Sequence, residues 1–134
     1  MNREKLINAF ESIATAEGYK FHSAEERYIP QFTSHYPALW LTPPTFHSIE
    51  GKNHGAITYS VKLHAMQDGA KQSLKRRNAT RIELEDMLLK LFTTLSQEEF
   101  VAEVENIQIC HSSQTLSSHG EVAATATAEV ITIF

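Results

Sequence analysis

Histidine, cysteine and paired carboxylates are the residues of this chain with the chemistry to bind a metal or to catalyse. The seven histidines are His22, His35, His47, His54, His64, His111 and His119. None is spaced His-x-His or His-x-x-x-His, the local spacings that put two imidazoles on one face, and neither HExxH nor CxxC occurs. They read as loop residues and as residues on the wet face of a strand. Cys110 and His111 have the types of a nucleophile and a base. As neighbours on a strand they point to opposite faces, so the cysteine reads as a small buried hydrophobe. Glu25-Glu26 and Glu98-Glu99 are adjacent only in sequence, whereas acid–base catalysis needs two carboxylates converging on one bond. Nucleophile elbow, P-loop and dinucleotide fingerprints are absent. The expectation is a chain with no catalytic residues, no cofactor and no metal.

Charge carries more information. Residues 71–81 hold Lys71, Lys75, Arg76, Arg77 and Arg81 with no acid, and residues 83–105 hold seven acids against Lys90. The net charge is −4, and the basic cluster has no aromatic residue for base stacking, so nucleic acid is a weak partner class. The other reading is head-to-tail self-association, with the basic segment meeting a neighbour's acidic surface. Those five cations are the candidate subunit interface, unless the segment is simply a solvated loop. Asn78-Ala79-Thr80 matches a glycosylation acceptor, but Thr80 is better explained as a helix cap.

The elements that would position these residues follow from periodicity. The chain has 134 residues, 42% hydrophobic and 21% charged, with five Gly and four Pro, which fits one ordinary folded domain over 1–134. A single cysteine points to a reduced, cytoplasmic compartment. The polar start (Asn2, Arg3, Glu4, Lys5) lacks the apolar region of a signal peptide. Leu6, Phe10 and Ile13 recur at i, i+4 and i+7, which predicts a first helix with Asn2 as its N-cap and Gly18 as its end. Residues 19–56 contain all four prolines and read as short strands between turns. Ala38–Leu41 surrounds the only tryptophan, Trp40, and stops at Thr42-Pro43-Pro44 because proline offers no N–H. Gly51 to Gly55 reads as a polar turn.

Ile57, Tyr59, Val61, Leu63 and Ala65 alternate with polar residues as a half-buried strand does. A second helix is predicted from a capping box at Thr80-x-x-Glu83, with Leu84, Leu88, Leu91 and Leu95 as its stripe. A strand over about 102–110 follows, then a Ser-rich loop (Ser112, Ser113, Ser117, Ser118, Gly120), then a last strand over 122–134. Thirteen residues at about 3.3 Å span about 43 Å, more than the roughly 36 Å diameter of such a domain. That strand is expected to bulge, curl or project and offer its edge to a neighbour. The fold class is α+β, two helices on one face of a mainly antiparallel sheet, in the order α-β-β-β-α-β-β. The predicted core is Leu6, Phe10, Ile13, Trp40, Val61, Leu63, Leu84, Leu88, Leu91, Leu95, Ile107, Ile109 and Val130.

The layout is a first helix, a Pro-rich strand region (Tyr36-Pro37-Ala38-Leu39-Trp40-Leu41), an alternating strand ending in Gln67-Asp68-Gly69, a helix of the Arg81–Leu95 type and two terminal strands. It resembles the small tail-terminator and tail-completion proteins of tailed phages and prophages. The resemblance covers nearly the whole chain and rests on element order and size. It implies a non-enzymatic α+β subunit of a ring-type homo-oligomer, such as a hexamer. The ring would dock tail-tube and head-connector proteins, first in the cytoplasm and then in a virion. The alternative is a small cytoplasmic dimeric binding module or secretion-type chaperone. Type III secretion chaperones usually end in a helix, and this chain ends in a predicted strand.

Overall fold

A computed structural model describes residues 2–32, 35–51, 54–69, 72–111 and 121–134. The middle of the Gly51–Gly55 turn, the Ser112 to Gly120 loop with His119, and Lys71 lie outside the described residues. The chain is α+β. Its elements are α1 (Asn2–Ala16), β1 (Lys20–Ser23), a 3-10 turn (Glu26–Tyr28), α2 (Ile29–Phe32), β2 (Ala38–Leu41), β3 (Thr45–Glu50), β4 (Ala56–Gln67), α3 (Leu74–Leu95), β5 (Val101–His111) and β6 (Val122–Ile133).

Six strands form one mixed sheet, ordered β1-β2-β4-β6-β5, with β3 also paired to β4. β2 and β3 run antiparallel along one edge of β4, β2 against Leu63–Met66 and β3 against 56–60. They are one strand interrupted at Thr42-Pro43-Pro44, where proline has no N–H to give the ladder. Thr42 bridges the break by donating its N–H (3.0 Å) and its hydroxyl (3.2 Å) to the carbonyl of Lys62.

The sheet has two faces because strand side chains alternate. One carries Leu39, Leu41, Tyr59, Val61, Leu63, Ala65, Ala124, Ala126, Ala128 and Val130, and it shares a core with α1 (Leu6, Phe10, Ile13) and α3 (Leu84, Leu88, Leu91, Phe92, Leu95). The alanines of β6 leave room for the leucines of α3, so volumes on the two layers complement each other. The opposite face carries a smaller cluster of Ile29, Ala38, Trp40, Met66 and Ala123, reached by the segment containing the 3-10 turn and α2.

Several expectations change. The order is α-β-α-β-β-β-α-β-β, because α2 and β1 are additional elements and β1 pairs parallel to β2. Four residues are too few for either element to show a period, and Pro30 in the first turn of α2 replaces an N–H that a helix leaves unbonded anyway. Trp40 is buried on the second face, not in the main core, and its indole N–H donates to the carbonyl of Ala24 at 2.8 Å. Asn2 lies inside α1, and its amide donates to Thr132 Oγ1 (3.0 Å) and the Ile133 carbonyl (3.1 Å), tying the helix to β6. Gly18 ends α1 at φ +80° as expected.

β6 does not project. It pairs with β4 along twelve residues, from Val122 opposite Gln67 to Ile133 opposite Ala56, and with β5 on its other side. Two equally long central strands accommodate each other, and irregularity falls on the edge strand β5. Its register shifts between Val101 and Glu103 and again between Glu105 and Gln108. At the second bulge Asn106 adopts φ +55°, and its amide reaches Glu129 Oε2 at 3.1 Å. This bulge leaves Ile107 39% exposed and outside the core, while Ile109 still packs against it. Asn106→Val is expected to destabilise the fold by about 1–2 kcal/mol, because a β-branched residue tolerates the left-handed region poorly, with urea denaturation as the measurement.

Candidate functional site

Two features stand apart from the packing. The first lies on the second face of the sheet. β4 places Lys62 and His64 on this face because Val61 and Leu63 take the other. β6 places Thr125 directly opposite His64. The 3-10 turn then lowers Glu26 onto them. Glu26 Oε1 accepts from Lys62 Nζ at 2.6 Å and lies 3.0 Å from His64 Nε2, while His64 Nδ1 lies 2.8 Å from Thr125 Oγ1. These partners assign the Nε2–H tautomer: Nε2 donates to the carboxylate and Nδ1 accepts from the hydroxyl. His64 is 3% exposed. Burial pushes its pKa below the usual histidine value, and the neighbouring Glu26 carboxylate only partly opposes this. The hydrogen bond from Lys62, with a further one from His64, holds Glu26 below the usual carboxylate value despite some desolvation.

Hydroxyl, imidazole and carboxylate in line have the composition of a hydrolytic triad. However, the concavity on this face, about 420 Å³, is lined by Thr42, Ser60, Lys62, Gln108, Thr127 and Glu129 among others; it touches the network at Lys62 and reaches neither His64 nor Thr125. The line of bonds instead latches the Glu26–Tyr28 turn to β4 and β6. The sequence shows Glu26 only as a neighbour of Glu25 and His64 as a residue on the polar face of a strand. The contact joins residues 38 apart in the chain, and only the tertiary fold brings them together.

Other histidines are scattered. His22 stacks on Trp40 with ring centroids 5.2 Å apart, and His47 Nε2 lies 3.7 Å from Glu129 Oε1. Among the described residues no three His, Cys, Asp or Glu side chains converge as a metal site requires. Cys110 is not buried as its sequence context suggests: it is exposed on the edge strand β5, opposite Thr125.

The second feature is the distribution of charge. Lys71 lies outside the described residues. Lys75, Arg76, Arg77 and Arg81 are not in a loop: they occupy the first two turns of α3, which starts at Leu74. Ser73 is the N-cap, its hydroxyl accepting from the Arg76 N–H at 3.2 Å. Thr80 is buried within the helix and donates back to the Arg76 carbonyl at 3.0 Å, so the Thr80–Glu83 box is not the helix start. The serine cap seven residues upstream prevailed over it. Arg77 Nη1 donates to the Gly69 carbonyl at 2.8 Å, and Arg81 Nη1 reaches Asn78 Oδ1 at 3.4 Å. Cations at a helix N-terminus oppose the macrodipole, at a cost of about 0.3–1 kcal/mol each where exposed. Among the described residues no carboxylate forms an ion pair with Lys75 or Arg76.

Opposite charge collects on the open part of the second sheet face. Glu105 on β5 stands directly opposite Glu129 on β6, an unfavourable cross-strand pair. The Glu103 carboxylate, with smaller contributions that include Glu129, pushes the pKa of Glu105 up. No helix among the described residues is long and apolar enough to cross a membrane. No protein-family model matches the chain, and no curated protein sequence matches it.

The latch sets a pH dependence. His64 has a folded pKa below its unfolded value, so its contribution is complete above about pH 6.5 and is lost as pH falls through the folded pKa. Glu26, also depressed, contributes fully above its unfolded pKa and loses that contribution as pH falls further. Thermal melts at a series of pH values are expected to show Tm falling on acidification from neutrality. His64→Gln should flatten the part of the profile just below pH 6.5.

Proposed function

We propose that this chain is a non-enzymatic structural subunit of the phage or prophage tail-terminator and tail-completion kind, one that self-assembles into a ring and docks other virion parts. The observation that carries the reading is the separation of charge within one small domain. Exposed cations occupy the start of α3, where the helix dipole disfavours them, and like-charged carboxylates face each other across β5 and β6. Both local arrangements cost stability in an isolated subunit, and both are relieved when the basic helix start of one copy meets the acidic sheet face of the next. A contact between two different patches of the same chain is heterologous, and it closes into a ring when the rotation per subunit divides the circle. Long-range attraction between such patches also speeds correct docking.

The resemblance in element order supplies the class of assembly, and partners in a tail would be the tube and the head connector. The candidate interface is Lys75, Arg76, Arg77 and Arg81, with Lys71 beside them in sequence. Arg76 is the cleanest probe, since Arg77 also holds the Gly69 carbonyl.

Light scattering on a sizing column is expected to give a mass of about six chains or a whole multiple of that ring. Arg76→Glu, alone or with Arg77→Glu, is expected to reduce the mass, and raised salt should do the same by screening. A mass unchanged by Arg76→Glu together with Arg77→Glu would refute the role of this segment, and a wild-type mass of one or two chains would refute the ring.

A further inference from the structure

The outer side of α3 carries exposed apolar residues that none of the described residues covers. Leu74 is 83% exposed, Ile82 60% and Leu89 46%. At 3.6 residues per turn they fall within about 80° of arc, which borders the buried side at Phe92 and Leu88 and is centred roughly 100° or more from Leu84, Leu91 and Leu95. Asn78 and Glu85 lie between them on the same stripe. Charge is arranged along the helix as well: Lys75 and Arg81 in the first half, Glu85 and Asp86 in the second. On the wheel Lys75 and Asp86 form one shoulder of the stripe, while half-buried Arg81 stands at the other edge, next to Glu85 within the stripe.

We infer that this stripe is a two-fold contact between antiparallel α3 helices of two copies of the chain, going beyond the ring reading. In an antiparallel pair each shoulder meets the same shoulder of the second copy, run in reverse. One register sets Leu74 level with Leu89 of the second copy and Asn78 level with its Glu85, and brings the two Ile82 side chains together at the axis. In that register Lys75 lies about 3 Å along the axis from Asp86 of the second copy, and Arg81 about 4.5 Å from its Glu85, both within reach of long side chains. Each pair occurs twice by symmetry. A parallel arrangement would instead turn the Lys75 and Asp86 shoulder of each copy toward the opposite shoulder of the other, and the Lys75 to Asp86 pairs would be lost. The antiparallel partner also brings the negative end of its helix dipole next to the cations that α3 holds at its own positive end. A second copy therefore satisfies the apolar stripe, the shoulder charges and the misplaced cations together. Lys75 and Arg81 are then engaged by this contact, and of the candidate ring cations Arg76, which projects from another side of the helix, stays available to the ring.

The test is the mass in solution of full-length variants, with circular dichroism to verify the fold. Ile82 is exposed, so Ile82→Glu should fold normally and lower the mass by about a factor of two. Lys75→Glu and Asp86→Lys should each weaken association by about tenfold, and the double variant Lys75→Glu with Asp86→Lys should restore it, because the swapped charges again face opposite partners. Folded Ile82→Glu protein with wild-type mass would overturn the contact, as would a wild-type chain that stays monomeric and binds an unrelated helix instead. A double variant no tighter than the single ones would overturn the antiparallel register. A wild-type dimer made monomeric by Ile82→Glu would uphold this contact while the ring reading fell.

Discussion

Everything else in this domain hangs on the twelve-residue ladder between β4 and β6. Strand side chains alternate strictly, so one register decides the face of every residue on both strands. It sets Tyr59, Val61, Leu63 and Ala65 beside Val130, Ala128, Ala126 and Ala124 under the two long helices. By the same register Lys62 and His64 stand beside Thr127 and Thr125 on the other side. A slip of one residue would bury Lys62 in the main core, where an unpaired charge is costly. The ladder is therefore both the foundation of the core and the device that aligns the polar network.

The second face is divided. At one end the segment carrying the 3-10 turn and α2 covers Trp40, Met66 and Ala123, and Glu26 secures it through Lys62 and His64. At the other end the face stays open and polar, with hydroxyls, amides and the opposed Glu105 and Glu129. The division follows from the break at Pro43-Pro44, which separates β2, buried at every residue, from β3, with Phe46 and Ile49 exposed. The edge strand β5 bends at its two bulges, which makes it a poor template for uncontrolled pairing.

α3 is where local and global preferences disagree. Its inner side is an ordinary leucine stripe. Its outer side sets three exposed apolar residues among charges whose order along the axis opposes the helix's own dipole. Such conflicts in an otherwise consistent sequence tend to mark functional surfaces. Here they mark the surface through which one copy is proposed to meet another, on two sides of one helix.

Sequence alone determined the class of the fold and most of its core. The leucine stripe of α3, the Leu6–Phe10–Ile13 stripe of α1 and the alternation of β4 are repeated local patterns, and each reports a buried face without any knowledge of the partner. The proline break and the glycine end of α1 were legible for the same reason, since both are properties of single residues. The tertiary structure decided what depends on a neighbour distant in sequence. α2 and β1 are too short to carry a period: α2 lies over the second sheet face, and β1 extends the sheet beside β2. The start of α3 moved upstream because Ser73 caps it, which turned an expected basic loop into charged helix. The unbroken register of β6 came from an equally long partner, and the exposure of Ile107 from a bulge on β5. The Glu26–His64–Thr125 line joins three separate segments, and no spacing along the chain encodes a contact made only when a turn folds down over a finished sheet.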